Sequence, residues 1–343
     1  MADAAAAKSP EKKAYLEEIA GHDLAPLWEI YETLVMDEPN RAEPPMIWRW
    51  SEMVALVEKS AELVQGKEAD HRVLIMKNPS LAPRMATTTN ILAAYQCVMP
   101  GEKTSPHRHT PAATRVILEG AGGGTFVDGK RCDMFDGDLI ITPNWTWHNH
   151  DNDSGKRAVW LDILDIPLVS GFDAVFGDMG PVDAFPENIS TLPDELFGSG
   201  GILPQVEAGE VRHSPRLRYA WDDVVAAVEA TPEADDGTKT RNYLNPVDGG
   251  PMLPTLDSRA LSLSGGAASR RTREMANMVC IVLEGEGTSR IGEEEISWSA
   301  KDVFTVPHWT WFSHTAASNR ALMIQISDRE IMRKLNLYRV EAA

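Results

Sequence analysis

Cysteine is scarce in this chain, positive charge is outnumbered, and long apolar runs are missing. The 343 residues include three cysteines, Cys97, Cys132 and Cys280, odd in number and far apart. That pattern excludes a disulfide framework and points to a reducing compartment. No stretch of about 18 apolar residues occurs, so no helical membrane span is expected. Lys and Arg number 33 against 51 Asp and Glu, a formal net charge of -18. So acidic a surface repels phosphate backbones, which excludes nucleic acid as a partner, and any site for an anionic substrate must be built locally. The first residues, MADAAAAKSPEKK, lack the apolar core of a secretory signal. A cytoplasmic protein without membrane contact is expected. What is abundant is apolar material, 43% of the chain, enough for a sizeable core, and the length suits two domains.

Periodicity divides the chain. Tyr15, Leu16, Ile19, Leu27, Ile30 and Leu34 recur at helical spacing over residues 13–35, and the proline-rich stretch Pro39 to Pro45 ends that pattern. A second helix is predicted from Trp50 to Val64, with Met53, Leu56 and Val57 on one face. From about residue 72 short β-prone runs take over: Arg72 to Met76, Ile91 to Met99, Thr114 to Glu119, Leu139 to Thr142. Gly120 to Gly124 and the Asp128-Gly129 pair read as turns, the latter as a tight hairpin. A loop-rich connector follows from about Pro167 to Pro215, then a helical piece near Trp221 to Ala230, then a second β-rich block from Leu253 to Ser327.

The β-rich blocks repeat each other. Residues 116–150 read VILEGAGGGTFVDGKRCDMFDGDLIITPNWTWHNH, and residues 281–314 read IVLEGEGTSRIGEEEISWSAKDVFTVPHWTWFSH. Shared Leu-Glu-Gly, Asp-apolar-apolar and Pro-x-Trp-Thr-Trp elements in one order imply two copies of one β-barrel unit. The expected organisation is a helical segment over 1–70, a metal-binding barrel over 71–170, a connector over 171–250 and a metal-free barrel over 251–343.

In the first copy His107 and His109 stand two apart, so on a strand both imidazoles face one side. His148 follows 39 residues after His109, on a strand that an antiparallel barrel can bring alongside. Three neutral nitrogen ligands on one side of an ion leave the opposite positions open. Histidines of this kind are also found as structural residues. The longer pattern favours ligands: Gly101 before His107-Arg108-His109 with Gly120 beyond resembles the first cupin motif, and Gly137, Pro143, Trp145, His148 and Asn152 resemble the second, with Trp145 where a Gly is usual. Ala113 and Thr114 occupy the positions where cupins often carry a Glu ligand. Without that carboxylate the ion keeps its full double charge, which suits a dianionic chelator such as an aromatic carboxylate with an ortho hydroxyl. In the second copy Thr272, Glu274 and Phe312 replace the three histidines. A metal on Glu274 and His314 is the weaker alternative.

The stretch from His107 to Asn152 resembles the gentisate 1,2-dioxygenase family, which includes salicylate and 1-hydroxy-2-naphthoate dioxygenases. His107-Arg108-His109-Thr110, Arg115-Val-Ile-Leu-Glu-Gly and Ile-Thr-Pro-Asn-Trp-Thr-Trp-His-Asn-His carry the likeness. Met46-Ile-Trp-Arg-Trp50, Trp160-Leu-Asp-Ile-Leu-Asp-Ile-Pro167, Asn245-Pro and Pro254-Thr-Leu extend it. The resemblance implies a mainly β bicupin fold, two double-stranded β-helix (jelly-roll) barrels with a helical N-terminal segment, assembled as a homotetramer. It implies Fe(II) on His107, His109 and His148, dioxygen as co-substrate, and extradiol-type cleavage between the carboxyl- and hydroxyl-bearing ring carbons, which turns gentisate into maleylpyruvate. Salicylate, its chloro, nitro or amino derivatives and 1-hydroxy-2-naphthoate are alternative substrates. Position matching gives Arg115 to the substrate carboxylate, Gln96 to a hydrogen bond with substrate or oxygen, and His150 to the substrate hydroxyl. Asp162 is expected to orient His150 or a ligand imidazole. Relatives often carry paired arginines where this chain has His71-Arg72, so Arg72 alone keeps a guanidinium for the substrate, and Leu92 stands where some carry an aromatic. A non-oxidative metal cupin (isomerase or hydrolase) and a cupin that only binds a ligand are the rival readings.

Overall fold

The structure is a computed structural model that describes residues 9–39, 43–180, 197 and 213–343. It separates at Asn40 and Arg41 into two units. The first holds α1 (Pro10–Ala20) and α2 (Leu27–Leu34). The Ser9 hydroxyl accepts from the Lys12 amide at 3.1 Å, and Pro10 follows at the first turn, where an amide hydrogen has no helical partner. The single helical stretch expected over 13–35 is two helices, because Gly21 closes α1 and Pro26 opens α2. Lys12 and Glu29 join them at 2.9 Å.

The second unit is predominantly β. Its chain order begins with β1 (Ile47–Trp48), α3 (Trp50–Leu63), β2 (Val73–Ile75), β3 (Leu92–Val98), β4 (His107–His109), β5 (Ala113–Glu119), β6 (Gly123–Val127), β7 (Lys130–Met134), β8 (Leu139–Thr142), β9 (His148–Asp151) and β10 (Ala158–Leu164). Next come α4 (Ile166–Gly171), β11 (Gly177–Met179), β12 (Arg218–Tyr219), α5 (Trp221–Glu229) and β13 (Thr238–Asn242). The last stretch is β14 (Asp257–Ser264), β15 (Thr272–Glu274), β16 (Met278–Glu284), β17 (Glu286–Ile291), β18 (Glu294–Ser299), β19 (Val303–Val306), β20 (Phe312–Ala316), β21 (Arg320–Ser327), α6 (Arg329–Lys334) and β22 (Val340–Ala342).

These strands build two antiparallel barrels, each from a six-stranded and a five-stranded sheet. The first has the orders β12-β8-β5-β10-β3-β2 and β11-β4-β9-β6-β7, the second β1-β19-β16-β21-β14-β13 and β18-β17-β20-β15-β22. The boundaries read from composition shift accordingly. The 171–250 stretch contributes β11 and β12 to the first barrel and β13 to the second, and β1, expected within a helical segment, pairs with β19 of the second. Strands of two or three residues, as β1, β11 and β12 are, carry too little pattern to be seen in sequence, and β13, Thr-Lys-Thr-Arg-Asn, has no apolar alternation. Residues 181–196 and 198–212 of the expected connector lie outside the described residues.

Asp128 and Gly129 both take positive φ, 44° and 81°, as the hairpin joining β6 to β7 requires. Gly137 has φ 84°, and a Cβ there would sit 2.5 Å from the Trp221 ring. The helix α3 starts against the second barrel, where the Asp302 carboxylate accepts from the Trp50 amide at 2.8 Å. One apolar cluster runs from Tyr95, Cys97, Val159 and Leu161 of the first barrel to Val279, Ile281, Leu322 and Ile324 of the second, so the larger sheets share a core. The second barrel's interior is a separate apolar cluster that includes Trp298, Phe304 and Phe312. Among the described residues no helix is long and apolar enough to cross a membrane.

Candidate metal and substrate site

The first barrel buries polar and titratable side chains as well, among them Gln96, Arg115, Thr125, His148, His150 and Asp162. The strand β4 is only His-Arg-His, so pleating sends both imidazoles to one face and Arg108 to the other. His148 on β9 is paired directly opposite His107. The ring centroids of His107 and His148 are 4.3 Å apart, and those of His109 and His148 are 4.8 Å apart.

Backbone carbonyls fix how each ring is used. Nδ1 of His107 donates to Ser105 O at 3.0 Å, Nδ1 of His109 to Pro111 O at 2.7 Å, and Nδ1 of His148 to Thr146 O at 3.0 Å. Each Nε2 therefore keeps its lone pair. One nitrogen from each residue lies within 4.8 Å of the others, and this is the one such cluster of potential metal ligands among the described residues. Nε2 of His148 is buried with no hydrogen-bond partner. A buried orphan acceptor is costly, and a cation between the three nitrogens removes that cost. Burial drives the imidazole pKa values down, with the charges of neighbouring rings and Arg115 adding to it; for His109 the value falls to about 4. The donor set therefore fits a divalent transition metal.

The metal strand is clamped from outside. The Arg108 guanidinium lies 4.3 Å from the Trp145 ring and 4.8 Å from the Trp147 ring, and pairs with Asp178 at 2.7 Å. Asp178 belongs to β11, which covers all three residues of β4. Trp145 has φ 61°, which explains why cupins usually place Gly there. Its amide donates to His109 O at 2.9 Å, and its ring meets Phe176 at 4.9 Å. These contacts hold an arrangement whose backbone strain is on the order of 1 kcal/mol.

The inner face of the six-stranded sheet opposes the triad. Gln96 pairs with Trp160, and Asp162 with Arg115, so all four share that face. Arg115 is buried, with Nε 2.8 Å from the Asp162 carboxylate and Nη1 donating to Thr142, which leaves Nη2 untaken. Burial pushes the Asp162 carboxyl up and the Arg115 guanidinium down, against their mutual attraction. His150 lies 4.6 Å from the Trp160 ring and 6.4 Å from His148, centroid to centroid.

Two expectations are corrected. Arg72 does not face a substrate. Its Nε and Nη2 donate to Cys97 O, Nη1 to Val64 O, and both Nη groups to the Glu102 carboxylate, so no N–H remains. Asp162 does not orient His150: its carboxylate lies 2.8 Å from Arg115 Nε as an ion pair and accepts from the Trp160 indole at 3.0 Å. The hydroxyl of Thr125 meets His150 Nδ1 instead, at 3.0 Å. Thr125 was missed in the sequence, although the repeat signals it, since Ser289 and His314 recur at the positions of Thr125 and His150.

The second barrel keeps the clamp without the metal ligands. Arg273 lies 4.3 Å from Trp309 and 5.0 Å from Trp311, and pairs with Glu341 of β22 at 2.8 Å. Trp309 also has positive φ, 52°. Glu274 is no metal ligand: Arg329 holds it through Nε at 2.9 Å and Nη2 at 2.7 Å, and Tyr338 donates at 2.7 Å.

The cupin-domain family model matches residues 94–164. The chain is 35% identical over 339 residues to gentisate 1,2 dioxygenase 1 of Aquipseudomonas alcaligenes, covering 97% of each. It is 33% identical to a 5-aminosalicylate 1,2-dioxygenase of Comamonas sp, covering 95% of this chain and 89% of that one. A crystal structure of salicylate 1,2-dioxygenase from Pseudoaminobacter salicylatoxidans, with gentisate adducts, superposes with a TM-score of 0.91 at 29% identity, covering 100% of this chain and 97% of that one.

Proposed function

Because this chain belongs to the gentisate 1,2-dioxygenase family of ring-cleaving enzymes, we propose that it opens gentisate between the carboxyl- and ortho-hydroxyl-bearing carbons to give maleylpyruvate, using Fe(II) and dioxygen. The observation that carries this reading is the convergence of three imidazoles whose Nδ1 hydrogens are all spent on backbone carbonyls. His107, His109 and His148 are the residues that would hold the iron. When bound, iron supplies a redox-active Lewis acid that couples an electron-rich ring to dioxygen.

The chain's own groups set what the site accepts. Three neutral rings and the Arg115–Asp162 pair add no net charge, so a doubly positive ion calls for a dianionic chelator. Arg115, steadied by Asp162 and Thr142, keeps Nη2 for the substrate carboxylate. Gln96 offers its amide from the same face, and Trp160 forms a flat wall beside His150. His150, uncharged in its buried place, takes the hydroxyl proton of the substrate. A second reading, substituted salicylates, is favoured by Leu92 and Ala94, an aliphatic and a small side chain four and two residues before Gln96 on its face of β3. Cytoplasmic location agrees with three free, buried thiols. The homotetramer agrees with α2, whose Leu27, Trp28, Tyr31 and Leu34 are more than half exposed and suit a subunit contact.

The test is anaerobic reconstitution with Fe(II), followed by oxygen uptake with gentisate, salicylate, 5-aminosalicylate and 1-hydroxy-2-naphthoate. About one O₂ per ring is expected, fastest with gentisate. A non-oxidative cupin would consume none. His109→Ala should stay folded and lose both iron and turnover, and an active iron-free variant would refute the assignment.

A further inference from the structure

One imidazole of the first barrel is not placed to hold a metal, and a hydroxyl stands behind it. Thr125 on β6 is paired opposite His150 on β9, and both are buried. Thr125 Oγ1 lies 3.0 Å from His150 Nδ1. On its other side the threonine hydroxyl has the sulfur of Met134 within reach at 3.4 Å, so it can donate there and turn its lone pairs toward the ring. With the hydroxyl so placed, His150 carries its hydrogen on Nδ1 and Nε2 is bare.

The second barrel reaches the same arrangement by a separate route. Ser289 Oγ lies 2.7 Å from His314 Nδ1. Gln325 Oε1 accepts from Arg259 Nε at 2.6 Å, and arginine can only donate, so the amide orientation is forced. The Gln325 amide nitrogen must then donate to His314 Nε2, 3.1 Å away, which makes Nε2 the bare nitrogen. In the first barrel Asp162 stands at the place of Gln325, and Arg115 and Trp160 occupy its carboxylate. No amide caps His150 Nε2. The duplicated hydroxyl–imidazole pair is thus closed off in one barrel and left open in the other.

We infer that Thr125 is a positioning residue that holds His150 in its Nδ1–H form and so presents a bare Nε2 to the hydroxyl of the ring substrate. The inference rests on the ring-cleaving function proposed above. Thr125→Val is the informative variant, because it keeps the β-branched shape that suits β6 and removes the acceptor.

Two readouts separate the inference from the reading it rests on. Long-range proton–nitrogen correlation spectra of the metal-free protein, labelled with ¹⁵N-histidine, report the tautomer without any turnover. The His150 signals are identified by their loss in His150→Gln. The wild type and Thr125→Ser should show the Nδ1–H form, and Thr125→Val should lose it. In the reconstituted enzyme Thr125→Val should lower kcat by about 10- to 100-fold, with KM and iron content unchanged, and Thr125→Ser should restore it. An Nε2–H form in the wild type overturns the inference, and that spectrum decides the matter even if Thr125→Val fails to fold. An unchanged tautomer or an unchanged kcat in Thr125→Val overturns it too. The expected spectra from a wild type that consumes no oxygen with any hydroxybenzoate would support the tautomer assignment and sink the ring-cleavage reading.

Discussion

Removing the Arg108 side chain should cost about the same stability as removing that of Arg273, yet only the first loss should reach the metal. The Arg108 guanidinium sits over two indoles at 4.3 and 4.8 Å, worth about 0.5–1 kcal/mol each near the surface. Its ion pair with Asp178 is partly exposed and adds roughly 0.5 kcal/mol. Arg108→Ala should therefore destabilise the protein by about 2 kcal/mol, and Arg273→Ala, which breaks the equivalent sandwich, by a similar amount. The difference lies in what the clamp holds. His107 is the one residue of β4 paired to β9, whereas β11 pairs with the whole strand. If docking of β11 and metal binding are fully coupled, 2 kcal/mol corresponds to roughly 30-fold in affinity, an upper bound for Arg108→Ala. Urea unfolding of the metal-free variants gives the first quantity. Anaerobic Fe(II) competition against a chromophoric chelator gives the second. Equal metal affinities in the two variants would refute the idea that the clamp positions the ligand strand.

Three further outcomes follow from buried charge. Glu274 is pushed up by burial, but Arg329, Arg259 and Tyr338 outweigh this and bring its pKa down to about 2. Its stabilisation is present above the unfolded value of about 4.5 and is lost as pH falls toward 2, at most about 3 kcal/mol. The stability gap between wild type and Glu274→Gln, measured by denaturant titration, should close over that window. Glu43 shifts the other way, raised to about 7 chiefly by burial, with Thr89 opposing and Asp328 reinforcing. Its ionisation opposes folding above pH 4.5, so Glu43→Gln should stabilise at pH 8, by up to about 3 kcal/mol, and be neutral near pH 4. Arg72→Met should cost more than about 2 kcal/mol, because it strands Glu102 and two backbone carbonyls, while leaving KM for the aromatic substrate unchanged. A raised KM with normal stability would restore Arg72 to the substrate site.

The sequence exposed the features that are written locally. The Asp128-Gly129 hairpin, the His-x-His strand and the tryptophan-rich turn each depend on a few adjacent residues, and the repeat marked both barrels. What it hid depends on register. Whether Arg72 faces the substrate or the chain is decided by where Cys97, Val64 and Glu102 fall around it, 8 to 30 residues away. Whether Asp162 reaches His150 or Arg115 depends on a cross-strand pairing that composition cannot supply. The strands β1 and β12 are two residues long and have almost no pattern of their own, and β13 is polar throughout, so none of them stands out from helical or connecting sequence.

The duplicated clamp shows one scaffold carrying two different interiors. Trp145 and Trp309 both adopt positive φ, both hand their amide to the carbonyl of the last residue of the facing strand, and both flank an arginine tied to a covering strand. Those features recur in the second barrel, where no cluster of three potential metal ligands stands among the described residues, so they belong to the architecture and not to the chemistry. Histidine replaced by Phe312 puts an aromatic side chain into the apolar filling of the second barrel, a burial worth about 1.5–3 kcal/mol. Glu274 at a histidine position forms a buried pair with Arg329, which also holds Asp257 at 2.8 Å. The second barrel thus has packing and charge pairing at the positions where the first has three imidazoles with one nitrogen left unsatisfied. That unsatisfied state, most visible at His148 Nε2, is tolerable in the first barrel because an ion can complete it, and because the apolar filling of the second barrel and the core it shares with the first stabilise the whole unit.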